Sequence, residues 1–479
     1  MEQRYDIIVA GSGISGSLAA ASAAKNGAKV LLLDRNSEEE PGKKTNWGWV
    51  CGDAVAKSHI EFAQKELGVS FGEPELNLPV KGVVALSPNL KNRIQFDGEG
   101  YVLDRPKFAK KLRDLAIKFG AEYVSGHEVE GPIVENDKVI GVFGKHGNNE
   151  TFKVYANLVI DSLGIASVLR RRLPANDYIQ KDISTDDIES TGRYIVDFKA
   201  AKEDTSYYDR EFALIHLNQQ LAPGGYGWVF PKKGMKVNVG IGIEKHSLEL
   251  RNSKMGLNDT LHSLIDKYVE WNPVLKEISM DNEHNNAKGY WSVTVRRQLP
   301  SLVYENYLGT GDSMAMPNPI SAGGIGPAII SGILAGQTAS KAVANKNTSI
   351  DSLWEYNLNF NKAYGSKMAG LEVFRIFLQS MNNDRIDYGM EHFITKDEAV
   401  ELSYGNVPEL SLASAFTKLL SGVQNISAFK DLMYAVGKMK KLNEIYGKYP
   451  ADKSALPAWR AIVDAEMKDA KERFKVNPI

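Results

Sequence analysis

The chain has 479 residues, 43% of them hydrophobic and 24% charged, with a formal net charge of −1. That length exceeds what one core supports, so two or more packed lobes are expected, and near-neutrality removes any global argument for nucleic-acid binding. The single cysteine, Cys51, excludes an intrachain disulfide and a cysteine-ligated iron–sulfur cluster, and it fits a reducing, cytoplasmic setting.

Residues 4–34 predict strand, glycine turn, Ala-rich helix, strand. The first apolar run, Tyr5 to Ala10, enters the turn directly and reads as a folded strand rather than a secretory signal. Gly11-Ser-Gly13-Ile-Ser-Gly16 fits G-x-G-x-x-G. The first glycine permits the tight turn, the second admits a pyrophosphate to the backbone, and the third lets helix and strand pack closely. Asp34 closes the second strand about twenty residues on, where a carboxylate accepts ribose hydroxyls. Together these features predict dinucleotide binding.

A charged loop with Pro41-Gly42 follows, then a helix expected from about Ala54. Residues 106–119 predict an amphipathic helix with Phe108, Leu112, Leu115 and Phe119 on one side, and 122–160 read as short strands. Residues 78–103 and 190–300 alternate apolar with polar, as in Lys236-Val-Asn-Val-Gly-Ile-Gly-Ile243, and predict antiparallel strands. The uncharged stretch Ser313 to Ser340 is long enough to span a bilayer. However, Pro317, Pro319, Gly323, Gly324, Gly326 and Pro327 break its first half, so a buried loop entering a helix is expected. From Ile350 onward the pattern is mostly helical.

Tyr307-Leu-Gly-Thr-Gly-Asp312, followed by Pro319-Ile-Ser-Ala-Gly323-Gly324-Ile325-Gly326 and an apolar helix, decides between nicotinamide and flavin. It resembles the second flavin-binding segment of the p-hydroxybenzoate-hydroxylase-like flavoproteins. The resemblance implies FAD, with Asp312 on the ribityl chain and the helix N-terminus at the flavin pyrimidine edge, where its partial positive charge favours the anionic reduced ring. Arg105, in Tyr101-Val-Leu-Asp-Arg-Pro-Lys-Phe108, matches that family's arginine at the start of the helix leaning on FAD. By the same resemblance Ile14, Ser15, Arg35 and Val129 belong to the cofactor face, as do Cys51, Gly52, Ala54, Gly324 and Ile325.

Trp49-Val-Cys-Gly-Asp53 and Pro223-Gly-Gly-Tyr-Gly-Trp228-Val-Phe-Pro231, with Lys236-Val-Asn-Val-Gly240, narrow the likeness. They resemble the geranylgeranyl reductases, above all the archaeal enzymes that saturate isoprenoid chains of ether lipids. Ser321-Ala322 departs from that family's His-Gly. The implied fold is α/β. A Rossmann-type FAD-binding domain (1–77, 104–189 and 301–345) would carry an inserted antiparallel β-sheet substrate domain (78–103 and 190–300) and a C-terminal helical region (346–479).

The implied reaction adds hydride and a proton across an isolated alkene of a geranylgeranyl-bearing lipid. Cys51 is the candidate thiol at the flavin, set against the bland alternative of a small buried hydrophobe. Tyr226 and Trp228 would stabilise positive charge on a tertiary carbon. Trp49 and Phe230, with Trp47, would line an apolar tunnel, although aromatics at this density also make ordinary cores. His59, eight residues past Cys51, would face the prenyl pocket, whereas a lone helical histidine is more often a satisfied structural residue.

No second G-x-G-x-x-G unit offers a nicotinamide domain, so electrons are expected from outside: a ferredoxin, another reduced carrier or NAD(P)H. No metal site is expected. Lys430, Lys438, Lys440, Lys441 and Lys448 among Phe429, Leu432, Met433, Met439 and Leu442 suggest a basic amphipathic helix resting on the inner membrane face, against the commoner solvated helix. The competing classes are a flavin monooxygenase or halogenase on the same scaffold, and a non-catalytic flavin or prenyl-lipid binder. Prenyl reduction directed at chlorophyll or quinone precursors is a closer alternative.

Overall fold

The computed structural model describes residues 4–36, 50–198, 209–234, 236–272, 275, 278–280, 288–393, 395–403 and 426–478. Strand β1 (Arg4–Ala10), helix α1 (Ile14–Lys25) and β2 (Val30–Leu33) open the chain, followed by β3 (Ala54–Ala56) and α2 (Lys57–Leu67). Next come β4 (Leu78–Leu86), β5 (Arg93–Val102), α3 (Arg105–Lys118), β6 (Glu122–Val124), β7 (His127–Glu135), β8 (Lys138–His146), β9 (Glu150–Asp161) and the single turn α4 (Val168–Arg171). The middle of the chain gives β10 (Ile188–Phe198), β11 (Phe212–His216), β12 (Gly227–Lys232), β13 (Lys236–Glu244), α5 (Lys245–Met255), α6 (Leu261–Trp271), β14 (Ile278–Met280) and β15 (Lys288–Thr294). It closes with β16 (Val303–Tyr304), β17 (Tyr307–Gly309) and helices α7 (Ile325–Ala344), α8 (Ile350–Ala363), α9 (Met368–Gln379), α10 (Asn383–His392), α11 (Lys396–Ser403), α12 (Ile426–Tyr446) and α13 (Leu456–Arg473).

The first sheet has the order β16-β17-β9-β1-β2-β6, parallel from β17 to β6, with the β7–β8 hairpin joined to β9. Ile7, Ile8, Val9 and Ala10 are fully buried, as a strand covered on both faces requires. Helix α1 lies against α7 at backbone distance. A Cβ at Gly332 would stand 2.3 Å from the Ser15 carbonyl oxygen, and one at Gly336 2.4 Å from that of Ala19. The Rossmann-type α/β expectation is met; the loop before α7 is buried over residues 313–317, whereas Ser321 and Gly323 are exposed. Among the described residues no helix is long and apolar enough to cross a membrane.

The second sheet runs β14-β10-β13-β12-β11-β4-β5-β3, with β15 also on β10. It is antiparallel except where β11 pairs with β4 in parallel, the junction between the 78–103 hairpin and the later segment. Three local expectations differ. The helix expected from Ala54 begins at Lys57, because Ala54–Ala56 pair with β5 in this second sheet. The block from 190 to 300 contains helices α5 and α6 as well as strands. Leu264, Ile265, Tyr268 and Val269 give α6 a helical buried stripe.

The third difference concerns α12, whose Leu432, Met439 and Leu442 are buried in the main core. Its Lys438 pairs with Glu466 and Asp469, and Lys441 with Glu466, all on α13. The apolar face of this helix is therefore committed to packing and is not a membrane-resting surface.

Candidate active site

A cavity of about 860 Å³ runs between the two sheets. At one end β1 turns into α1. Gly11 has φ +98°, and a Cβ there would lie 2.4 Å from the Ser162 carbonyl oxygen. A Cβ at Gly16 would overlap the Gly11 carbonyl oxygen, whereas one at Gly13 would meet nothing within 4 Å. The N-terminus of α1, without a side-chain cap, thus opens into the cavity.

Asp34 holds the turn. Its Oδ2 accepts the Ser12 N–H and hydroxyl, each at 2.7 Å, and its Oδ1 accepts the Asn36 N–H at 2.8 Å. Ile14, Ser15, Asp34, Arg35 and Val129 all line this end.

At the next station Asp312, Gly324 and Ile325 line the cavity at the N-terminus of α7, with Arg105 from the first turn of α3. Burial pushes the Asp312 carboxyl up to about 6, against the opposing effect of the Arg105 guanidinium. Arg105 is itself buried, and its Nε has no hydrogen-bond partner among the described residues. An open anion-binding turn, an unpartnered buried guanidinium N–H and a carboxylate at a second helix start fit the pyrophosphate and ribityl chain of FAD.

The third station is the Cys51–Ala54 loop against β12. Gly52 has no room for a side chain, since a Cβ there would sit 2.4 Å from the Phe230 ring. Burial raises the Cys51 thiol, opposed by Arg105 and Arg193 and reinforced by Asp53, so the group is a neutral S–H at neutral pH. The Asp53 N–H donates to Cys51 Sγ at 3.4 Å.

Tyr226, Trp228 and Phe230 alternate toward the same cavity, with ring centroids 6.2 and 6.3 Å apart. The Tyr226 hydroxyl donates to the Ser321 carbonyl oxygen at 2.5 Å, tying the aromatic strand to the loop before α7. Burial, then the charges of Glu189 and Cys51, push the Tyr226 phenol above its ordinary range.

One expected site residue lies away from the cavity, and two fall outside the described residues. His59 does not line the cavity. It packs on Gly326, where a Cβ would be 2.4 Å from its ring, and edge-on to Tyr364, so α2 turns it toward α7 rather than toward a prenyl pocket. Trp47 and Trp49 lie outside the described residues.

Sequence reasoning also missed groups. Asn238 ties the Cys51 loop to Trp228: its Nδ2 donates to the Cys51 carbonyl oxygen at 2.7 Å and to Asp53 Oδ2 at 2.9 Å, and its Oδ1 accepts the Trp228 indole N–H at 2.9 Å. Lys232 pairs with Asp53 at 2.9 Å. Glu189, Arg375 and Gln379 line the cavity beyond Tyr226. The available signal for Asn238 was an amide among valines in Lys236-Val-Asn-Val.

The two-sheet fold and this cradle define an FAD-dependent oxidoreductase. Residues 6–171 match the family of FAD dependent oxidoreductases, and residues 187–280 match the geranylgeranyl reductase catalytic domain. The chain is 32% identical to the digeranylgeranylglycerophospholipid reductase of Sulfolobus acidocaldarius, over 97% of each chain. It is 31% identical to digeranylgeranylglycerophospholipid reductase 2 of Methanococcoides burtonii, over 74% of this chain and 80% of that one.

Among solved structures, a geranylgeranyl bacteriochlorophyll reductase-like protein from Thermoplasma acidophilum superposes with TM-score 0.72 at 26% identity, covering 91% of this chain and all of that one. A flavin-dependent brominase at 17% identity and TM-score 0.65 shares the fold. The chain belongs to the digeranylgeranylglycerophospholipid reductase family and is an FAD-dependent reductase.

Proposed function

We propose that this protein saturates the C=C bonds of geranylgeranyl chains on archaeal ether phospholipid precursors. The observation that carries the reading is the neutral Cys51 thiol held beside Tyr226, Trp228 and Phe230 in the cavity that also contains the FAD cradle. In this reading Gly11, Gly13, Ile14, Ser15 and Gly16 receive the pyrophosphate, and Asp34, Arg35 and Val129 flank the adenosine side. Asp312 and Arg105 hold the ribityl and phosphate segment, while Gly52, Ala54, Gly324 and Ile325 border the flavin.

An isolated trisubstituted alkene has no carbonyl to polarise it, so proton and hydride delivery must be positioned together. Bound, reduced FAD supplies the hydride through its N5 position. Cys51 orients the alkene at the reacting carbons and presents an S–H bond there. The faces of Tyr226 and Trp228 stabilise developing positive charge on the tertiary carbon by about 0.5–2 kcal/mol. The apolar rings of Tyr226, Trp228 and Phe230 on this part of the wall exclude water that would otherwise trap such a cation.

Electrons come from an external reduced carrier, a ferredoxin or NAD(P)H. The working location is the cytoplasm at the inner membrane face, because a two-chain lipid does not leave a bilayer unaided; α12 is not the contacting surface. The test is anaerobic, dithionite-reduced protein mixed with digeranylgeranylglyceryl phospholipid, with flavin absorbance and lipid mass followed together. Flavin reoxidation with stepwise gain of H2 supports the reading; a flavin that stays reduced over unchanged lipid sinks it.

A further inference from the structure

We infer that Glu189, at the start of β10, is a second acid of the active cavity and supplies the proton consumed in each C=C reduction; this rests on the prenyl-reductase reading above. Glu189 lines the same cavity as Cys51 and Tyr226, and only 3% of its surface is exposed. Its position is built by two glycines on neighbouring segments. A Cβ at Gly242 would come within 2.9 Å of Glu189 Oε2, and a Cβ at Gly225 within 3.4 Å. The run Gly240-Ile-Gly242 on β13 therefore does two jobs: Gly240 admits the Trp228 indole, whose Cζ2 would be 2.2 Å from a Cβ there, and Gly242 admits the Glu189 carboxyl.

The groups facing Glu189 leave it without a counterion bond. Glu244 stands opposite it in the β10–β13 register, with its own carboxylate accepting the His246 and Ser247 N–H groups and the Ser247 hydroxyl. Val293 stands opposite it on β15, and Tyr226 borders it from the segment before β12. The one nearby cation among the described residues, Arg375 on α9, is engaged through both terminal nitrogens, while its Nε has no partner. It donates to the Asp186 carbonyl oxygen, to Gln379 and to Asp187, and Asp187 in turn pairs with Arg296 and Lys471. Gln379 is fixed by donating to the Gly224 carbonyl oxygen at 2.7 Å. No hydrogen bond or ion pair among the described residues holds the Glu189 carboxyl, which is an unusual state for a buried acid with no chemical task.

Burial, reinforced by Glu244 and opposed by Arg375, pushes this carboxyl up to about 8. It is therefore a protonated O–H donor at neutral pH. It is also the stronger acid of the pair, because burial raises the Cys51 thiol above a value of 9.0. A general acid works best when its pKa lies near the operating pH. The π pair of the alkene takes the Glu189 proton, forming a C–H bond as the O–H bond breaks. The adjacent tertiary carbon accepts hydride from reduced FAD, and the Glu189 carboxylate regains a proton from water before the next bond is reduced. Two electrons leave the cofactor, and the lipid gains H2.

The test is single-turnover reoxidation of the anaerobically reduced holoprotein by digeranylgeranylglyceryl phospholipid, from pH 6 to 10. The wild-type rate should fall as pH rises through about 8, where the folded carboxyl ionises. Glu189→Gln should lower the rate about a hundredfold and make it independent of pH across that window, with FAD retained and the lipid-induced change in the flavin spectrum preserved. A Glu189→Gln protein that reduces lipid at the wild-type rate with the wild-type pH profile overturns the inference and leaves the prenyl-reductase reading standing. Wild-type protein that stays reduced in the presence of lipid overturns both.

If Glu189→Gln does not retain FAD, Glu189→Asp carries the test, and a rate that no longer falls with pH in that variant overturns the proposal. A second readout needs no substrate. The folded carboxyl binds its proton more tightly than the unfolded one, so its contribution to stability is lost as pH rises from 4.5 to about 8. Glu189→Gln should remove that slope from the unfolding curve, and an unchanged slope counts against the neutral acid.

Discussion

Asn238 on β13 donates its side-chain N–H to the main-chain carbonyl of Cys51 at 2.7 Å, although the two residues are 187 positions apart. The same amide reaches Asp53 and receives the Trp228 indole N–H, so one side chain fixes the thiol loop relative to the aromatic strand. Replacement by alanine would leave a buried carbonyl, a carboxylate and an indole N–H each short of a partner. At about 1–3 kcal/mol per orphaned group, partly relieved by relaxation, Asn238→Ala should cost about 3 kcal/mol in urea unfolding. It should lower kcat more than KM for the lipid. A variant with wild-type stability and turnover would show that the loop is held elsewhere.

The nucleotide half of the site was legible because phosphate chemistry needs backbone, and backbone needs glycine at fixed spacing: Gly11, Gly13, Gly16 and the Gly-Asp of Asp312 all stand at the cavity or shape its wall. The Cys51 loop and the Tyr226–Phe230 strand were legible through a family resemblance, not through spacing. Asn238, Lys232 and Glu189 were not, because each draws its meaning from a partner far away in sequence, and a lone polar residue in a strand is indistinguishable from a solvated one. His59 misled for the related reason that its direction depends on where α2 starts, and the pairing of Ala54–Ala56 with β5 moved that start to Lys57.

Gly13 and Gly16 of the first turn should separate in their effects. A methyl at Gly16 would overlap the Gly11 carbonyl, so Gly16→Ala must move backbone and should cost more than about 3 kcal/mol. A methyl at Gly13 meets no protein atom and projects into the cavity. Gly13→Ala apoprotein should therefore melt within a degree or two of wild type while its FAD affinity falls at least about tenfold. Equal loss of Tm in both apoproteins would mean that Gly13 is kept for the fold and not for pyrophosphate.

Cys51 distinguishes chemistry from packing. Cys51→Ser nearly keeps the volume and replaces the S–H with a less acidic O–H, and Cys51→Ala removes both volume and proton. If the thiol orients the alkene, both variants should retain FAD, with lipid reduction about ten- to a hundredfold slower in Cys51→Ala and less so in Cys51→Ser. The flavin absorbance of each variant reports cofactor retention in the same cuvette as the reaction. Wild-type turnover by Cys51→Ala would reduce Cys51 to a small wall residue.

A buried histidine outside the cavity sets an acid limit on the fold. His216 on β11 is 1% exposed, its Nδ1 lies 2.6 Å from the Tyr268 hydroxyl, and its Nε2 has no partner among the described residues. Burial lowers its pKa from 6.5 to about 3. The unfolded chain therefore binds a proton at pH 4 to 6 that the folded chain refuses, and stability present above pH 6.5 is lost as pH falls toward 3. At pH 4 the loss is on the order of 3 kcal/mol, read as the gap between the two titrations. His216→Gln preserves a partner for Tyr268 and cannot titrate. Its urea unfolding free energy should fall less between pH 6.5 and 4 than that of wild type, by about that amount. Parallel pH curves for the two proteins would place the proton on His216 in both states and refute its neutrality in the folded chain.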